Sequence, residues 1–282
     1  MWELNMNDDV INFWLEVSDT IALNVENAIK NAASDPEVDT ITKIGADGTP
    51  THKIDEYAEN AAIKTLESTG HSLILISEEI GTIKIGDDDP EIILIMDPLD
   101  GTTNALKQIP CYGISIAIAE IKDDKDINNI TLGNIEIGFV KNFANEDTYI
   151  AVKNQGALKN NEKMSISNIS NLSEATVCNY IYREDKERVN KLLSSIRRLR
   201  LIGAISIELC YVADGTYDAF LDTGSVRLLD IAAAQLILKE NNGIVTDKLS
   251  NELSSQLDLM ETTSIVAVAN ESIHKKIIDL IN

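Results

Sequence analysis

Apolar residues recur every three to four positions along the first part of the chain, which is the spacing of an amphipathic helix. This spacing predicts a long helix from about Val10 to Ala33, with Asp8 or Asp9 as its cap. A second helix is predicted from Asp55 to about Ser68. Residues 43–51 lie between them and contain two glycines and a proline, so we expect a mobile loop without regular structure.

Two short apolar runs follow, and each ends in acidic residues. Ser72–Ile76 leads into the Glu78–Glu79 pair, and Ile92–Met96 leads into Asp97. Apolar runs of this length are typical of buried strands. The Asp87–Pro90 segment between them is expected to be a solvated turn. The pattern therefore predicts two strands that present carboxylates at corresponding ends.

The rest of the pattern divides the chain into two halves, which we predict at residues 1–170 and 171–282. From Tyr112 to about Lys163, alternating and β-branched residues predict an antiparallel sheet that completes the first half. The second half alternates strands and helices and is predicted to be α/β. Its predicted strands are Thr176–Ile181, Leu199–Ile202, Tyr217–Leu221, Ile244–Thr246 and Ser264–Ala269. Its predicted helices lie around Arg183–Ser195, at Ile205–Ala213, from about Leu228 to Asn242, and from Glu271 onward.

The chain is strongly acidic, since 46 Asp and Glu residues against 24 Lys and Arg residues give a net charge of -22. Proteins that bind nucleic acid or anionic membranes present a basic surface, so the composition argues against both partners. This charge would also repel a phosphate substrate, and bound cations would have to offset the repulsion locally. Solubility alone explains most of the acidity.

The cysteines and the N-terminal segment bear on the location of the protein. Cys111, Cys178 and Cys210 have no paired spacing, which predicts core thiols in a reducing compartment rather than disulfides or zinc ligands. No basic segment leads into an apolar one at the N-terminus, and no apolar run approaches membrane-spanning length. We therefore expect a cytoplasmic protein that does not associate with a membrane.

The segment Asp97-Pro98-Leu99-Asp100-Gly101-Thr102-Thr103-Asn104 carries the most specific chemistry in the chain. Pro98 fixes the backbone between two carboxylates, and Gly101 permits a tight bend before a helix predicted to begin at Thr103 or Asn104. Carboxylate oxygens suit a hard divalent cation, and amides at a helix start suit phosphate. The alternative, which needs no ligand, is an Asp-Pro turn followed by an Asp-Gly turn.

Several acidic residues are placed at predicted strand ends or helix starts. They are Asp55, Glu78, Glu79, Asp97, Asp100 and Asp230. Taken singly, Asp55 and Asp230 are expected to be helix caps. Taken together, with no matching Lys or Arg cluster, these carboxylates would repel one another unless metal ions neutralised them. Oxygen ligands favour Mg²⁺ or Mn²⁺ over zinc, and adjacent metals could activate water for hydrolysis.

Three segments resemble the signatures of the inositol monophosphatase superfamily, which includes fructose-1,6-bisphosphatases and 3'-phosphonucleotide phosphatases. They are the Glu78–Glu79 pair, D-P-L-D-G-T-T-N, and L-D-I-A-A-A near the end. The segments G-A-D-G-T-P-T-H-K-I-D and I-E-L-C-Y-V-A-D-G resemble archaeal members that act on both fructose-1,6-bisphosphate and inositol-1-phosphate. The resemblance implies an α/β (α+β) fold, the layered αβαβα sandwich, and a homodimeric Mg²⁺-dependent phosphomonoesterase.

The resemblance also implies metal ligands at matching positions. Glu78, Asp97 and the Leu99 carbonyl would hold one Mg²⁺, and Asp97, Asp100 and Asp230 would hold a second. Asp47, in the predicted mobile loop, would recruit a third ion or position water. The last signature departs from the usual W-D-x-A-A-G, because Leu229 replaces Trp and Ala234 replaces Gly. We expect altered packing there rather than lost activity.

The remaining roles implied by the resemblance concern water and substrate. Thr102, backed by Asp55 and supported by Glu79, would orient the attacking water. Asp100 and the amides of Gly101 and Thr102 would meet the phosphate. Arg200 would suit a second phosphate, Ile205 lies in the turn that would line the sugar site, and either Asp222 or Thr223 would face the sugar. A 3'-phosphoadenosine 5'-phosphate phosphatase and a catalytically silent metal-binding relative remain alternatives.

Overall fold

The structure is a computed structural model that describes residues 6–121, 129–180 and 186–282. Seven helices lie in these ranges. They are α1 (Asp8–Ala32), α2 (Lys53–Ser68), α3 (Thr102–Lys107), α4 (Lys186–Ser195), α5 (Ile205–Ala213), α6 (Leu228–Glu240) and α7 (Glu271–Ile281). The predicted helix around Arg183 and the predicted end of a strand at Ile181 fall partly outside the described residues.

The first half forms an eight-stranded mixed sheet in the order β10-β9-β8-β7-β6-β5-β3-β4. Its strands are β3 (Leu73–Ser77), β4 (Gly81–Ile85), β5 (Ile92–Asp100), β6 (Gly113–Glu120), β7 (Ile135–Asn142), β8 (Thr148–Val152), β9 (Gly156–Lys159) and β10 (Glu162–Lys163). Only β3 and β5 pair in parallel among these strands. The two predicted acidic strand ends therefore meet at one edge of the sheet, as the sequence indicates.

The second half forms a five-stranded sheet in the order β12-β11-β13-β15-β14. Its strands are β11 (Thr176–Asn179), β12 (Arg198–Arg200), β13 (Ala219–Arg227), β14 (Ile244–Thr246) and β15 (Thr262–Val268). β11 pairs in parallel with β12 and β13, whereas β15 is antiparallel to β13 and β14. β13 continues to Arg227, six residues beyond the predicted end at Leu221, because residues 226 and 227 pair again with β15 after an irregular stretch.

The elements stack in five layers. α1 and α2 cover the outer face of the larger sheet, α5 and α6 fill the space between the sheets, and α4 and α7 cover the outer face of the smaller sheet. The predicted αβαβα sandwich is confirmed. The core between the sheets contains residues from both predicted halves.

Small residues let α6 lie against the larger sheet. A Cβ at Gly138 of β7 would come within 2.7 Å of the Ala233 carbonyl oxygen. Ala232, Ala233 and Ala234 are all buried there, and Leu229 is also buried. The A-A-A stretch of the last signature thus serves close helix-to-sheet packing, which then fixes the position of the neighbouring Asp230.

The structure corrects several boundaries of the first half. Asn7 caps α1, and its Oδ1 atom accepts the Asp9 amide at 2.7 Å, so the prediction of Asp8 or Asp9 is wrong. The segment predicted as an irregular loop contains a hairpin of β1 (Ile41–Ile44) and β2 (Pro50–His52), with residues 45–49 as its tip. β4 was not predicted. α2 begins at Lys53, which makes Asp55 its third residue rather than its cap.

No helix in the described ranges combines the length and the apolar character that a membrane span needs.

The packing of α2 against β3 buries a carboxylate whose ionisation opposes folding. Glu59 Oε2 accepts the Ser77 hydroxyl at 3.0 Å, while its Oε1 atom finds no partner among the described residues. Burial raises the pKa of Glu59 from 4.5 to about 7. The folded protein therefore binds this proton more tightly than the unfolded chain does, and stability falls as pH rises between these two values.

Glu59→Gln is accordingly expected to unfold with the same free energy as the parent near pH 4, below both pKa values. Near pH 8 it should be more stable by up to about 3 kcal/mol. Denaturant unfolding of both proteins across this range, in chelator, measures the difference. A difference that does not change with pH would contradict the assignment. Glu67→Gln, on the exposed face of the same helix, is the matched control.

Candidate active site

A cleft of about 470 Å³ opens where the carboxyl ends of β3 and β5 meet the starts of α3, α5 and α6. It brings together most of the predicted site residues. Those that line it are Asp55, Glu78, Glu79, Asp97, Leu99, Asp100, Gly101, Thr102, Ile205 and Asp230, together with Thr49, Pro50, His52, Thr103, Tyr180, Gly203 and Arg227. A larger cavity of about 540 Å³, lined mainly by apolar and amide side chains, lies at β8 and β9 and contains none of the predicted residues.

The stretch Asp97–Asp100, for which a double turn was the alternative interpretation, is the bulged end of β5. Asp97 pairs with Ser115 and Asp100 with Gly113, so three steps on β5 oppose two on β6. Pro98 tolerates this irregular position because it has no amide hydrogen to pair. The bulge brings the Leu99 amide within 3.0 Å of Asp97 Oδ1, where it donates a hydrogen bond.

Asp100 connects the larger sheet to α5. Its Oδ1 atom accepts the Ile205 amide at 3.1 Å, and Oδ2 accepts the Ser206 amide at 2.9 Å and the Ser206 hydroxyl at 2.5 Å. A carboxylate suits the first turn of a helix because the unpaired amides and the helix dipole favour negative charge there. The contact holds the two halves of the cleft in one geometry.

Gly101 makes the sharp bend between β5 and α3. Its φ is 87°, a left-handed conformation that strains residues with a side chain. A Cβ there would also lie 3.0 Å from the Cys111 carbonyl oxygen and 3.2 Å from the Ala204 Cβ. Glycine is thus required for α3 to begin at Thr102, one residue before the predicted start.

Thr102 and Asp55 form a direct pair. The Thr102 hydroxyl donates to Asp55 Oδ1 at 2.8 Å, and Asp55 Oδ2 accepts the His52 amide at 2.8 Å. Asp55 therefore completes a capping box and points its second oxygen into the cleft. Burial raises the pKa of Asp55, although hydrogen bonds from Thr102 and His52 oppose the rise.

The tip of the β1–β2 hairpin reaches the same cleft. The Thr49 amide donates to Asp47 Oδ1 at 2.9 Å, which holds the Asp47 side chain in a tight turn. The Thr51 hydroxyl donates to Glu79 Oε2, and burial raises the pKa of Glu79. These contacts orient Asp47 within the hairpin tip and connect Glu79 to β2.

Arg227 lies at the centre of this cluster. Its Nη1 atom donates to Glu78 Oε1 at 2.7 Å and to Asp47 Oδ2, while Nη2 and Nε donate to Asp230 Oδ1 and Oδ2 at 2.7 and 3.1 Å. The sequence argument assumed that no cation matched these carboxylates and did not select Arg227 as a site residue. Its position three residues before Asp230, at the predicted start of α6, is the signal that would have identified the pair.

The carboxylates of the cluster carry more negative charge than one guanidinium can offset. Burial is the largest cause that raises the pKa of Glu78, Asp97 and Asp100. Repulsion between carboxylates raises these pKa values further. Asp230 raises the pKa of all three residues, and Glu78 also raises the pKa of Asp97. Arg227 opposes the rise at Glu78 and Asp97. A bound cation would relieve this excess charge.

The donor set fits a hard divalent cation by its chemistry, because all the donors are oxygens and most are anionic. Within residues 6–121, 129–180 and 186–282, however, no three His, Cys, Asp or Glu side chains are arranged to hold a metal ion. Glu78 Oε1 and both oxygens of Asp230 accept hydrogen bonds from Arg227 instead. The cluster therefore has the composition of a metal site, while Arg227 binds three of its carboxylates.

The cleft is not lined by Arg200, nor by either candidate for the sugar contact, Asp222 or Thr223. Arg200 is exposed at the edge strand β12, and its Nη1 atom donates to the Leu199 carbonyl oxygen at 3.0 Å. Asp222 is buried within β13, where its Oδ1 atom accepts the Gly224 amide at 3.0 Å. Thr223 is also buried, and its carbonyl oxygen accepts a hydrogen bond from Lys248.

Glu208, which the sequence argument did not select, organises the turn that lines the cleft. This carboxylate is fully buried and accepts the amides of Ile202 and Gly203, both at 2.9 Å. It also accepts the Tyr180 hydroxyl at 3.1 Å. A glutamate in the first turn of α5 is expected from helix electrostatics alone, so the sequence gives no signal for this second role.

The family and the named relatives that match this five-layered chain show that the protein is a phosphatase, a hydrolase of phosphate esters. The profile of the inositol monophosphatase family matches residues 10–282, and the chain belongs to that family. The family is generally metal-dependent. This confirms the predicted family and enzyme class.

Individual relatives agree with this assignment. The fructose-1,6-bisphosphatase/inositol-1-monophosphatase of Methanothermobacter thermautotrophicus is 43% identical over 275 residues, which cover 96% of this chain and 98% of that protein. A bifunctional NADP phosphatase/NAD kinase of Methanocaldococcus jannaschii is 43% identical over 279 residues, and the match spans about half of that protein, 48%. A Pyrococcus horikoshii structure described as similar to inositol-1 monophosphatase superposes with a TM-score of 0.80 at 26% identity, over 96% of this chain and 99% of that one.

Proposed function

We propose that this chain is a Mg²⁺-dependent phosphomonoesterase whose substrates are fructose-1,6-bisphosphate and inositol-1-phosphate. The observation that carries the proposal is the Thr102–Asp55 pair beside a cluster of carboxylates in one cleft. The Methanothermobacter relative, which has both activities in its name and matches nearly the whole chain, supports this pair of substrates.

The oxygen donors favour Mg²⁺ or Mn²⁺. Glu78, Asp97 and the Leu99 carbonyl would hold one ion, Asp97, Asp100 and Asp230 a second, and Asp47 would serve a third. When bound, the cations would supply Lewis acidity that lowers the pKa of water and stabilises the leaving oxygen. The amides of Gly101 and Thr102 would receive the phosphate, and Ile205 would contact the sugar.

Thr102 and Asp55 would orient and deprotonate the attacking water. Because the Thr102 hydroxyl donates to Asp55, its lone pairs are left to accept a hydrogen bond from water. The water oxygen would form a bond to phosphorus while the bond from phosphorus to the ester oxygen breaks, and the released alkoxide would take a proton from solvent. The water proton passes to Thr102 as the Thr102 proton passes to Asp55, whose raised pKa makes it a stronger base. Glu79 would support this arrangement from the side of the hairpin.

A phosphate-release assay tests the function directly. Purified protein is incubated with fructose-1,6-bisphosphate, inositol-1-phosphate, 3'-phosphoadenosine 5'-phosphate and NADP, each with Mg²⁺ and with chelator. We expect release from both sugar phosphates, lost in chelator and restored by added Mg²⁺. Release from the nucleotides alone would contradict the substrate assignment, and binding of Mg²⁺ without any release would favour a silent relative.

NADP hydrolysis is a second candidate function. The 43% identity to the bifunctional Methanocaldococcus protein over 279 residues favours it, although the match covers only 48% of that protein. The cleft offers little support for an adenine ring. Tyr180 is only 3% exposed, and its ring packs on Phe220 with centroids 5.6 Å apart, so its face is not free for stacking.

We also propose that the protein is a cytoplasmic homodimer, as the family resemblance implies. Analytical ultracentrifugation of the purified protein tests the assembly, because a monomer and a dimer of a 31.0 kDa chain are readily separated.

A further inference from the structure

Arg227 contacts three of the carboxylates that the proposed function assigns to metal binding or to the positioning of water. Its guanidinium uses Nε, Nη1 and Nη2 on Asp230, Glu78 and Asp47, which come from three separate parts of the chain. Such a planar fork can hold several carboxylates at once, which a single ammonium group cannot. The side chain is 26% exposed, so it borders the open cleft.

An oxygen that accepts a hydrogen bond from Arg227 is less available to bind a divalent cation. Glu78 Oε1 and both oxygens of Asp230 lie within 3.1 Å of guanidinium nitrogens. A divalent ion bound to either Glu78 or Asp230 would add positive charge beside the guanidinium, and like charges repel strongly in a partly buried site. Metal binding therefore requires these contacts to break or lengthen.

We propose that Arg227 is a displaceable internal counter-ion, and this inference rests on the proposed function. It holds Asp47, Glu78 and Asp230 together in the metal-free protein, and it withdraws from Glu78 and Asp230 when a divalent cation binds. Arg227 thus keeps the acidic cleft folded without metal and lowers the affinity of the cleft for metal. Arg227 is in this sense a positioning residue that sets the metal concentration at which the site fills.

The proposal predicts opposite changes in two measurements on Arg227→Met. In chelator the variant should unfold at a lower temperature than the parent, because the clustered carboxylates lose their counter-ion. Calorimetry with Mg²⁺ alone, at one fixed pH for all proteins, should give binding at least about tenfold tighter than in the parent. Arg227→Lys should give an intermediate affinity. Arg198→Met, which removes one positive charge from exposed edge strand β12, should match the parent.

A third measurement follows the guanidinium itself. In the parent, the Arg227 Nε–H resonance should shift as Mg²⁺ is added, in step with the calorimetric saturation. Equal or weaker Mg²⁺ binding by both Arg227 variants, or a resonance that does not respond at saturation, would overturn the proposal. Failure of the parent itself to bind Mg²⁺ would instead overturn the metal dependence of the proposed function. If Arg227→Met does not fold even with Mg²⁺, Arg227→Lys and the resonance decide the question.

Discussion

Asp97→Asn is expected to reduce phosphate release by at least about a thousandfold, because this residue is the only one assigned to both metal ions. Its position at the end of β5 places it beside Glu78, which follows β3, the parallel neighbour of β5. An amide there keeps the shape of the side chain but removes the charge that would bridge two cations. We expect the same loss for Asp230→Asn, which removes a ligand of one ion.

Steady-state kinetics with sugar phosphate over a range of Mg²⁺ concentrations measures these losses. Circular dichroism and thermal unfolding show whether the fold is kept, and Asp89→Asn is the matched control in the exposed turn before β5. Near-normal turnover in either active-site variant would rule out the metal assignment. If Asp89→Asn also loses phosphate release, the cause would be a general effect of charge rather than the loss of a metal ligand.

Thr102→Val is expected to lower kcat by about a hundredfold or more while leaving Mg²⁺ binding close to that of the parent. Valine keeps the branched shape but removes the hydroxyl that donates to Asp55 at 2.8 Å. The attacking water then loses the acceptor that would orient it and relay its proton. Because the hydroxyl is not assigned to a metal, the effect should appear in kcat rather than in metal affinity.

Two controls make the Thr102 result specific. Thr102→Ser keeps the hydroxyl and should recover most of the activity, and Thr103→Val makes the same substitution one residue further along α3. Activity and Mg²⁺ titrations are measured on all three variants. If Thr102→Val turns over as fast as the parent, the Thr102–Asp55 pair only caps α2 and has no part in the reaction.

The sequence predicts the parts of the site that depend on local pattern. Ser72–Ile76 and Ile92–Met96 are apolar runs followed by acids, and parallel pairing of β3 with β5 brings those acids together as expected. The octapeptide after Met96 is specific enough to indicate the family, whereas the metal ligands that the resemblance implies stay a prediction. The layered fold follows from the same resemblance and is confirmed by the solved structures.

What the sequence does not reveal depends on contacts between distant residues. Arg227 lies 149 residues from Glu78 and 180 from Asp47, so no local pattern indicates that one guanidinium binds both. The β1–β2 hairpin was missed because its glycines and proline lie in the tip and at the start of β2, where they do not disrupt pairing. Arg200 was selected for its position in a motif. Its strand β12 lies at the edge of the smaller sheet, and Arg200 does not line the cleft.

The contact between Gly138 and Ala233 has a consequence for how this protein can evolve. The backbones of β7 and α6 approach so closely that a larger side chain at Gly138 would push α6 away from the sheet. Asp230 lies one turn earlier on α6, and the same displacement would move it out of the cleft. A mutation at this remote glycine would therefore be selected against because it lowers activity as well as stability. Selection on the reaction thus limits which residues can replace a glycine in the core.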